Sequence, residues 1–279
     1  MNASANHDEI LPARVAALAS VLTGMGDVAV AVSGGVDSMT LACFAWQTLG
    51  RRATMFHALS PAVPADATTR VRRVASERGW NLEVIDAREF ENGDYVANPV
   101  NRCFHCKTSL YAAIRQATRA QVVSGTNLDD LSDFRPGLIA ARDHGVRHPF
   151  VEAEIAKVAV RALARQLDLH DVAELPSSPC LSSRIETGIA IEADTLDRVH
   201  ATEQLIRERH APRAVRCRVR AGGIVIELDE GLLAQLSDES RDMLAEEVRA
   251  LFAPTRHRSV AFAPYVGGSA FLRGVPIVG

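Results

Sequence analysis

Hydrophobic residues in the first two thirds of the chain fall into alternating strand-like and helix-like stretches. The run at 28–32 is continuously apolar, which is typical of a strand buried on both faces of a parallel sheet. Residues 8–24 place apolar side chains three and four positions apart, which predicts an amphipathic helix. The alternation then continues, with further strands predicted at 53–59, 82–86 and 121–124 and further helices at 37–49, 65–78, 107–119 and 153–168. Such alternation predicts an α/β fold with a doubly wound, mostly parallel sheet.

The pattern changes near residue 187. A helix at 193–209 precedes two strand-like segments, 214–220 and 223–229, and the glycines between them predict a hairpin. A helix at 239–252 and a strand at 258–263 follow. We therefore expect two domains, an α/β domain over 1–186 and a smaller α+β domain over 187–279. The stretch 170–188 has little periodicity and is either a linker or an active loop.

Composition narrows the classes of function. The formal net charge is -3, so no overall positive field favours nucleic acid as a partner. No apolar run approaches the roughly 20 residues that span a bilayer, and the N-terminus is polar, which argues against a signal peptide. We therefore expect a cytoplasmic protein that binds neither membranes nor nucleic acid.

A glycine-rich segment, Ser33-Gly34-Gly35-Val36-Asp37-Ser38, lies between the first predicted strand and the next helix. Glycines let the backbone turn tightly and helix N-termini attract anions, so this placement favours a phosphate-binding loop. Ser33 and Ser38 would add hydroxyl donors, and Asp37 would meet phosphate through a bridging Mg²⁺. The alternative is a turn that only starts a helix. The segment is not a Walker loop; it resembles the PP-loop of the adenine nucleotide alpha hydrolase superfamily, whose members cleave ATP between the α and β phosphates.

A second segment, Ser124-Gly125-Thr126-Asn127, directly follows another predicted strand. Ligands in open α/β sheets bind outside the carboxyl ends of the strands. We therefore expect Gly125 and Asn127 to form a second edge of the ATP site, although Gly125 could instead belong to a simple turn. Residues 57–60, which include Ala58, end the second strand and are expected to meet the adenosine.

Three of the five cysteines are candidates for chemistry. Cys103 and Cys106 form a C-x-x-C pair, which alone could be half of a zinc site, a redox pair or a coincidence. Cys180 precedes Arg184, whose charge could stabilise a thiolate. Three thiolates can hold a [4Fe-4S] cluster and leave one iron open.

The other two cysteines are predicted to be core residues. Cys43 lies in an apolar stretch of the helix after the glycine-rich segment. Cys217 alternates with valines along a predicted strand, so it should face inward.

Together these segments resemble the LarE family of ATP-dependent sacrificial sulfur transferases, which serve the synthesis of a nickel-pincer cofactor. The resemblance covers about residues 27–229 and rests on five segments in a fixed order: Ser33 to Ser38, Asn101 to Lys107, Gly125 to Asp130, Asp133 to Gly137 and Pro179 to Arg184. It implies a PP-loop fold and an enzyme that forms AMP and pyrophosphate.

The resemblance also implies roles for individual residues. The family cysteine that matches Cys180 either gives up its own sulfur and becomes dehydroalanine, or joins cysteines matching Cys103 and Cys106 on a [4Fe-4S] cluster. Glu203, Arg216 and Arg218 would lie on the substrate side, where Arg184 is also assigned. The alternation over 216–220 independently places three guanidiniums on one strand face, where they could bind phosphate or carboxylate or simply be solvated.

The implied reaction uses ATP and Mg²⁺ to adenylate a carboxylate or carbonyl oxygen of a small molecule. Sulfur from hydrosulfide or from Cys180 then replaces that oxygen. We expect a small-molecule substrate, a sulfur donor and a homo-oligomer.

Some positions depart from the family pattern, and they are expected to lie around the substrate side. His148 stands where serine is usual, the segment 184–188 is one residue short, and 265–269 lacks an arginine. These departures keep open the thiolation of another small molecule, such as a nucleobase in natural-product synthesis. Transfer of sulfur to tRNA would favour a basic surface, and transfer of ammonia would not need Cys180, so both are weaker alternatives.

Overall fold

A computed structural model of the chain describes residues 5–132, 135–176, 179–253 and 259–266. The chain divides into two compact units. The first unit comprises Met1–Glu89 and Cys103–Ser178, and the second comprises Phe90–Arg102 and Pro179–Gly279.

The bounds of the regular elements are as follows. The α-helices are α1 (Ala5–Thr23), α2 (Val36–Leu49), α3 (Ala65–Arg78), α4 (Gly93–Val96), α5 (Arg102–Ala117), α6 (Pro136–Asp143), α7 (Pro149–Glu152), α8 (Lys157–Gln166), α9 (His170–Ala173), α10 (Ala193–His210), α11 (Glu230–Gln235) and α12 (Asp238–Phe252). The strands are β1 (Val28–Ala31), β2 (Ala53–Leu59), β3 (Asn81–Asp86), β4 (Gln121–Ser124), β5 (Val215–Arg220), β6 (Gly223–Leu228) and β7 (Val260–Pro264).

The first unit is built on a parallel sheet with strand order β3-β2-β1-β4. Val28 of β1 pairs with Ala53 on one side and Gln121 on the other, so three strands begin at one edge and end at the opposite edge. Every residue of β1 is buried, as expected for a central strand between two layers of helices. The predicted α/β fold with a parallel sheet is confirmed.

The second unit contains a smaller mixed sheet. β5 and β6 form the predicted antiparallel hairpin, and β7 runs parallel to β6. Gly223 begins β6 with a φ of 132°, and a Cβ there would lie 1.8 Å from the Ser259 hydroxyl, so glycine is required at this turn. Helices α10 and α12 belong to the same unit and contribute Leu196, Val199 and Val248 to its buried residues.

Two predicted helices differ most from the structure in where they begin. The helix expected at 107–119 begins earlier, as α5 at Arg102, whose amide donates to the carbonyl of Pro99 at 3.0 Å. The C-x-x-C pair therefore lies inside the first helical turn rather than before it. The helix expected at 153–168 is shorter and begins later, as α8 at Lys157, because Glu154 has a φ of 55°, which a helix does not allow.

Residues 90–102 belong to the second unit although they interrupt the first in sequence. The hydroxyls of Tyr95 and Ser182 lie 2.6 Å apart, and the Asn98 amide donates to the carbonyl of Glu186 at 2.9 Å. The two compact units are defined by contacts within the chain, and they do not test whether two domains with a boundary after residue 186 fold independently. That boundary stays a prediction. Parts of the predicted segments lie outside the described residues: 133–134, 177–178, the start of the last strand at 258, and 267–269.

The helices that the structure describes include none that is both long and apolar enough to cross a membrane.

Candidate functional site

The glycine-rich segment forms a tight loop between β1 and α2. Gly34 has a φ of 83°, and a Cβ there would lie 2.8 Å from the carbonyl oxygen of Ala67, so a larger residue would be strained and would clash. The amide of Ser33 donates to the Ser38 hydroxyl at 3.1 Å, which closes the loop over the first turn of α2. The Ser38 hydroxyl donates in turn to the carbonyl of Gly35. The loop therefore sits at the positive end of a helix, where phosphate is favoured.

The segment after β4 meets this loop. A Cβ on Gly125 would lie 2.8 Å from both the carbonyl carbon of Asp37 and the amide nitrogen of Ser38. The backbones thus touch, and only glycine allows that approach. The structure brings together the two segments that sequence analysis expected at one edge of the sheet.

Asp37 is held by two side chains from outside its own loop. The Asn127 amide donates to one carboxylate oxygen at 3.1 Å, and the Lys157 ammonium makes an ion pair with the other. The Asp37 and Lys157 side chains are 27% and 34% exposed, so both remain accessible to a ligand.

Sequence reasoning missed Lys157. The sequence does contain a feature that singles out this residue, because the chain has only two lysines, at 107 and 157, against many arginines. A lysine carries a compact, mobile charge that arginine does not reproduce.

The loop after β4 fixes Lys157 as well as Asn127. Asn127 is buried, and its side-chain oxygen accepts from the amide of Asp129 at 3.0 Å. The Asp129 carboxylate accepts from the backbone amide of Lys157 at 2.6 Å, at the start of α8. One short loop therefore positions both side chains that contact Asp37.

The end of β2 is tied to the phosphate loop through His57. Its Nδ1 lies 2.8 Å from the carbonyl oxygen of Val32, and its Nε2 lies 2.9 Å from the Thr68 hydroxyl. Burial lowers the pKa of His57, which favours the neutral ring. Ala58, expected at the adenosine, is half-buried and follows His57 at the carboxyl end of the strand.

His148 belongs to the first unit and lies at the carboxyl end of β4. Its Nδ1 lies 2.9 Å from the hydroxyl of Ser124, the last residue of β4. Burial lowers the pKa of His148, against an opposing effect of the Glu152 charge.

The C-x-x-C pair occupies the first turn of α5. Cys103 and Cys106 are both half-buried, and their spacing of three residues places them on one helix face. In the part of the chain that the structure describes, no three His, Cys, Asp or Glu side chains are grouped closely enough to hold a metal ion. The prediction that Cys43 and Cys217 are core residues is confirmed, because both are buried. Burial raises the pKa of the Cys43 thiol to about 12 and raises that of Cys217 as well, so neither forms a thiolate readily.

Cys180 is exposed in the second unit, at the start of a 3-10 turn over Leu181–Arg184. The Arg184 guanidinium donates to the carbonyl oxygens of Pro179 and Cys180 at 2.6 and 3.2 Å. It also makes a two-point ion pair with Glu203, with distances of 2.9 and 3.1 Å. Arg184 therefore holds the backbone that carries Cys180, and its charge is matched by a buried carboxylate.

Glu203 is the centre of a buried network in α10. Besides Arg184 it accepts from Arg207 at 2.7 Å and from the backbone amide of Cys217 at 3.1 Å. Burial alone would raise the pKa of Glu203, but the Arg184 hydrogen bonds and charge outweigh it and lower the pKa. The carboxylate is therefore ionised in the folded protein, and it links α10 to the Cys180 loop and to β5.

The other substrate-side candidates lie on β5. Arg216 and Arg218 are only 8% and 4% exposed, so the alternative of a solvated strand face is wrong for both. Arg218 pairs with Glu227 at 2.9 Å and donates to the carbonyl of Ser183 at 2.9 Å. The Arg216 guanidinium lies over the Tyr265 ring at 5.3 Å. Burial, and next the Arg184 charge, lower the pKa of Arg216, as expected where cations are crowded.

We expect Glu203→Gln to destabilise the second unit by about 3–5 kcal/mol, because it leaves the buried Arg184 cation unmatched. Urea unfolding measures the loss. The folded-state pKa of Glu203 is lowered from its ordinary value of 4.5, so its contribution is present above that value and is lost as pH falls through the folded pKa. The difference between wild type and variant should therefore shrink in acid.

The matched control for this prediction is Glu247→Gln, which breaks an exposed pair with Arg209 at 2.9 Å. Exposed pairs contribute little, so its urea midpoint should stay close to that of wild type. Equal destabilisation by both variants would contradict a special role for Glu203.

Comparison with known proteins gives relatives but no matching protein-family profile. An uncharacterized protein of Synechocystis sp. is 37% identical over 182 residues, which are 64% of this chain and 68% of the relative. The pyridinium-3,5-bisthiocarboxylic acid mononucleotide synthase of Lactiplantibacillus plantarum is 29% identical over 225 residues, 79% of this chain and 81% of the relative. An uncharacterized protein of Methanocaldococcus jannaschii is 24% identical over 221 residues, 78% of this chain and 83% of the relative.

Proposed function

The chain belongs to the LarE family, and we propose that it transfers sulfur to a small molecule that it first activates with ATP. The observation that carries the proposal is the placement of Asp37. This carboxylate lies at the N-terminus of α2, in a glycine-containing loop. It accepts a hydrogen bond from Asn127 and forms an ion pair with Lys157. Such an arrangement supports binding of a triphosphate with its metal ion.

The first half of the reaction is adenylation. A carboxylate oxygen of the substrate attacks the α-phosphorus of ATP, and the bond between that phosphorus and the bridging oxygen to the β-phosphorus breaks. Pyrophosphate leaves with the bonding electron pair, and the substrate becomes an acyl adenylate. The purpose is to convert a poor leaving group, oxide, into a good one, AMP.

The loop residues would stabilise the departing pyrophosphate. The N-terminus of α2 and the hydroxyls of Ser33 and Ser38 offer donors at one place. Asp37 would hold the Mg²⁺ that accompanies ATP, because one carboxylate together with phosphate oxygens suits this ion. Lys157 would then move from Asp37 to the phosphates, which gain negative charge as the bond breaks.

The second half is sulfur transfer. A sulfur nucleophile attacks the carbonyl carbon of the acyl adenylate, and AMP leaves. The nucleophile is either hydrosulfide or the thiolate of Cys180, which is exposed on a loop that Arg184 holds in place. In the second case the thioester is then cleaved by loss of the Cys180 α-proton and rupture of its Cβ–S bond, which leaves dehydroalanine and a thiocarboxylate.

A [4Fe-4S] cluster is compatible with part of the cysteine arrangement. Cys103 and Cys106 share one helical turn and are half-buried, so both thiols can reach one metal centre. The described residues, Cys180 included, contain no group of three side chains placed to hold a metal ion, and we propose Cys180 as the third ligand of the cluster. Such a cluster would supply an iron that binds hydrosulfide.

The substrate is proposed from the synthase of Lactiplantibacillus plantarum, whose name describes a pyridinium mononucleotide with two thiocarboxylic acid groups. A carboxylate precursor of this kind carries a phosphate as well. Buried guanidiniums recognise such anions well, and Arg216 lies where other cations already crowd it. Incubation with ATP, a pyridinium carboxylate mononucleotide and a sulfur source should give a thiocarboxylate detectable by mass spectrometry. Failure with every pyridinium carboxylate, despite ATP–pyrophosphate exchange with a different acid, would contradict this substrate.

We expect Lys157→Met to slow pyrophosphate release by about 10²-fold, because a cation that stabilises developing charge is lost. The rate is measured with a coupled pyrophosphate assay at saturating ATP. Arg165→Met is the matched control, since this exposed cation lies on the same helix and pairs with Glu174 at 2.7 Å. A Lys157 variant as fast as the Arg165 variant would show that the ammonium only neutralises Asp37.

A further inference from the structure

A cavity of about 570 Å³, largely open to solvent and lined by exposed arginines, lies at the opposite edge of the first unit's sheet from the phosphate loop. Its lining includes Val28, Thr54 and Gln121, at or next to the first residues of β1, β2 and β4. The phosphate loop follows the last residues of the same sheet, and the four-residue strand β1 separates the two edges by roughly 13 Å. The cavity is therefore distinct from the proposed ATP site.

The cavity is strongly cationic. Four guanidiniums line it, from Arg51, Arg52, Arg115 and Arg119, against one carboxylate, that of Asp27. A volume between about 300 and 1,000 Å³ is typical of small-molecule sites. The cavity is thus large enough for one metabolite and has the charge for an anionic one.

Most of this positive charge has no counterion in the described part of the chain. Arg115 donates to the carbonyl of His144 at 2.9 Å. Among the described residues, Arg51, Arg52 and Arg119 have no side-chain hydrogen bond or ion pair. Some other exposed arginines of the same unit are paired, such as Arg165 with Glu174.

The negative ends of nearby helices balance only part of the positive charge of these arginines. Arg51 and Arg52 lie in the 3-10 turn that follows α2, and Arg115 lies in the last turn of α5, so these residues are close in sequence to the negative ends of two helices. Each helix end is equivalent to roughly half a negative charge. With Asp27, the four guanidiniums still leave about two positive charges, which is the charge of a phosphate monoester with opposite sign.

Neutral groups in the cavity add a second type of recognition. The Thr54 hydroxyl accepts from the Asn81 amide at 2.8 Å, and the Thr118 hydroxyl accepts from the amide of Ala120 at 3.1 Å. Each hydroxyl proton is therefore available to a ligand, and the Asp27 carboxylate can accept from a ligand hydroxyl. We propose that this cavity binds a small phosphorylated metabolite with free hydroxyl groups, of the size of a sugar phosphate. The guanidiniums would hold the phosphate, and Asp27 and the threonines would hold the hydroxyls.

The test is an amide NMR titration of the full chain with ribose 5-phosphate at constant ionic strength. We expect saturable shifts at the amides of Val28, Thr54 and Gln121. Arg119→Glu should weaken binding at least 10-fold, because it replaces an attractive charge with a repulsive one. Arg72→Glu, which changes an exposed arginine on α3, is the control of equal charge and should bind like wild type.

Three outcomes would overturn the proposal. One is a set of shifts confined to the phosphate loop at 33–38. Another is unchanged affinity in Arg119→Glu with a native-like spectrum. The third is equal affinity for inorganic phosphate, since the hydroxyl-binding groups would then contribute nothing. Loss of ATP chemistry in an Asp37 variant would leave the expected titration unchanged, so this site is tested separately from the proposed function.

Discussion

Replacement of Asp37 by alanine is expected to lower AMP and pyrophosphate formation by about 10³-fold while the protein stays folded. The carboxylate is the acidic group of the phosphate loop that contacts both Asn127 and Lys157. Without it, the Mg²⁺ that accompanies ATP would lose the protein ligand proposed for it, and the stabilisation of charge on the leaving pyrophosphate would be lost as well. ATP–pyrophosphate exchange and thermal melting, measured side by side, separate catalysis from folding.

Two further variants sharpen the Asp37 test. Asp37→Asn keeps the shape of the side chain and removes its charge, so it should be nearly as slow as the alanine variant. Asp143→Ala removes an exposed carboxylate whose ion pair among the described residues is with its neighbour Arg142, and it should behave like wild type. Pyrophosphate release at the wild-type rate from Asp37→Ala would show that the loop does not serve ATP cleavage.

The second large effect is expected from replacement of the cysteines proposed to hold a [4Fe-4S] cluster. After anaerobic reconstitution we expect about four irons per chain with the broad visible absorption of a [4Fe-4S] cluster. Alanine at Cys103, Cys106 or Cys180 should remove both the absorption and turnover. Cys43→Ala and Cys217→Ala are the matched controls, since both thiols are buried in the core and should cost only stability.

A different result would select the other version of sulfur transfer. If Cys103→Ala stays fully active while Cys180→Ala is inactive, and dehydroalanine forms at position 180, Cys180 gives up its own sulfur. In that case the C-x-x-C pair has no part in turnover. Full activity of Cys180→Ala would contradict both versions.

The bounds of strands and helices in the first unit could be predicted closely where the local sequence marks both ends of the element. The strand at 53–59, the helix at 65–78 and the strand at 121–124 have the predicted bounds. Each has a clear start and end, such as Pro64 before α3 and Gly79, in the left-handed conformation, after it. Helix α5 was placed too late because the C-x-x-C pair was interpreted as a loop that precedes a helix. Nothing in local periodicity distinguishes these cysteines from other residues of a first helical turn.

The candidate site was predicted in its loops but not in its charge pairs. Gly34 and Gly125 could be identified because each lies in a segment that directly follows a predicted strand, although the contacts that require glycine there, with Ala67 and with Asp37, are long-range. Lys157 meets Asp37 across 120 positions, a distance in sequence over which no spacing rule applies. The Arg184 pair with Glu203 is similar, since burial of both charges depends on how α10 packs against the Cys180 loop. Pairings of this kind follow from tertiary packing, which a single sequence does not display.

The assignment of residues 90–102 to the second unit constrains how the protein can be synthesised and inherited. The ribosome releases this segment before its partners at 179–191 exist, and roughly 80 residues must follow, which takes on the order of 4–16 s at typical elongation rates. During that time Tyr95 lacks Ser182, and Asn98 lacks Glu186. A gene fragment that encodes only the residues after 178 would likewise lack this segment. The second unit is therefore not encoded by one uninterrupted stretch of the gene, because residues 103–178 of the first unit are encoded between its two segments.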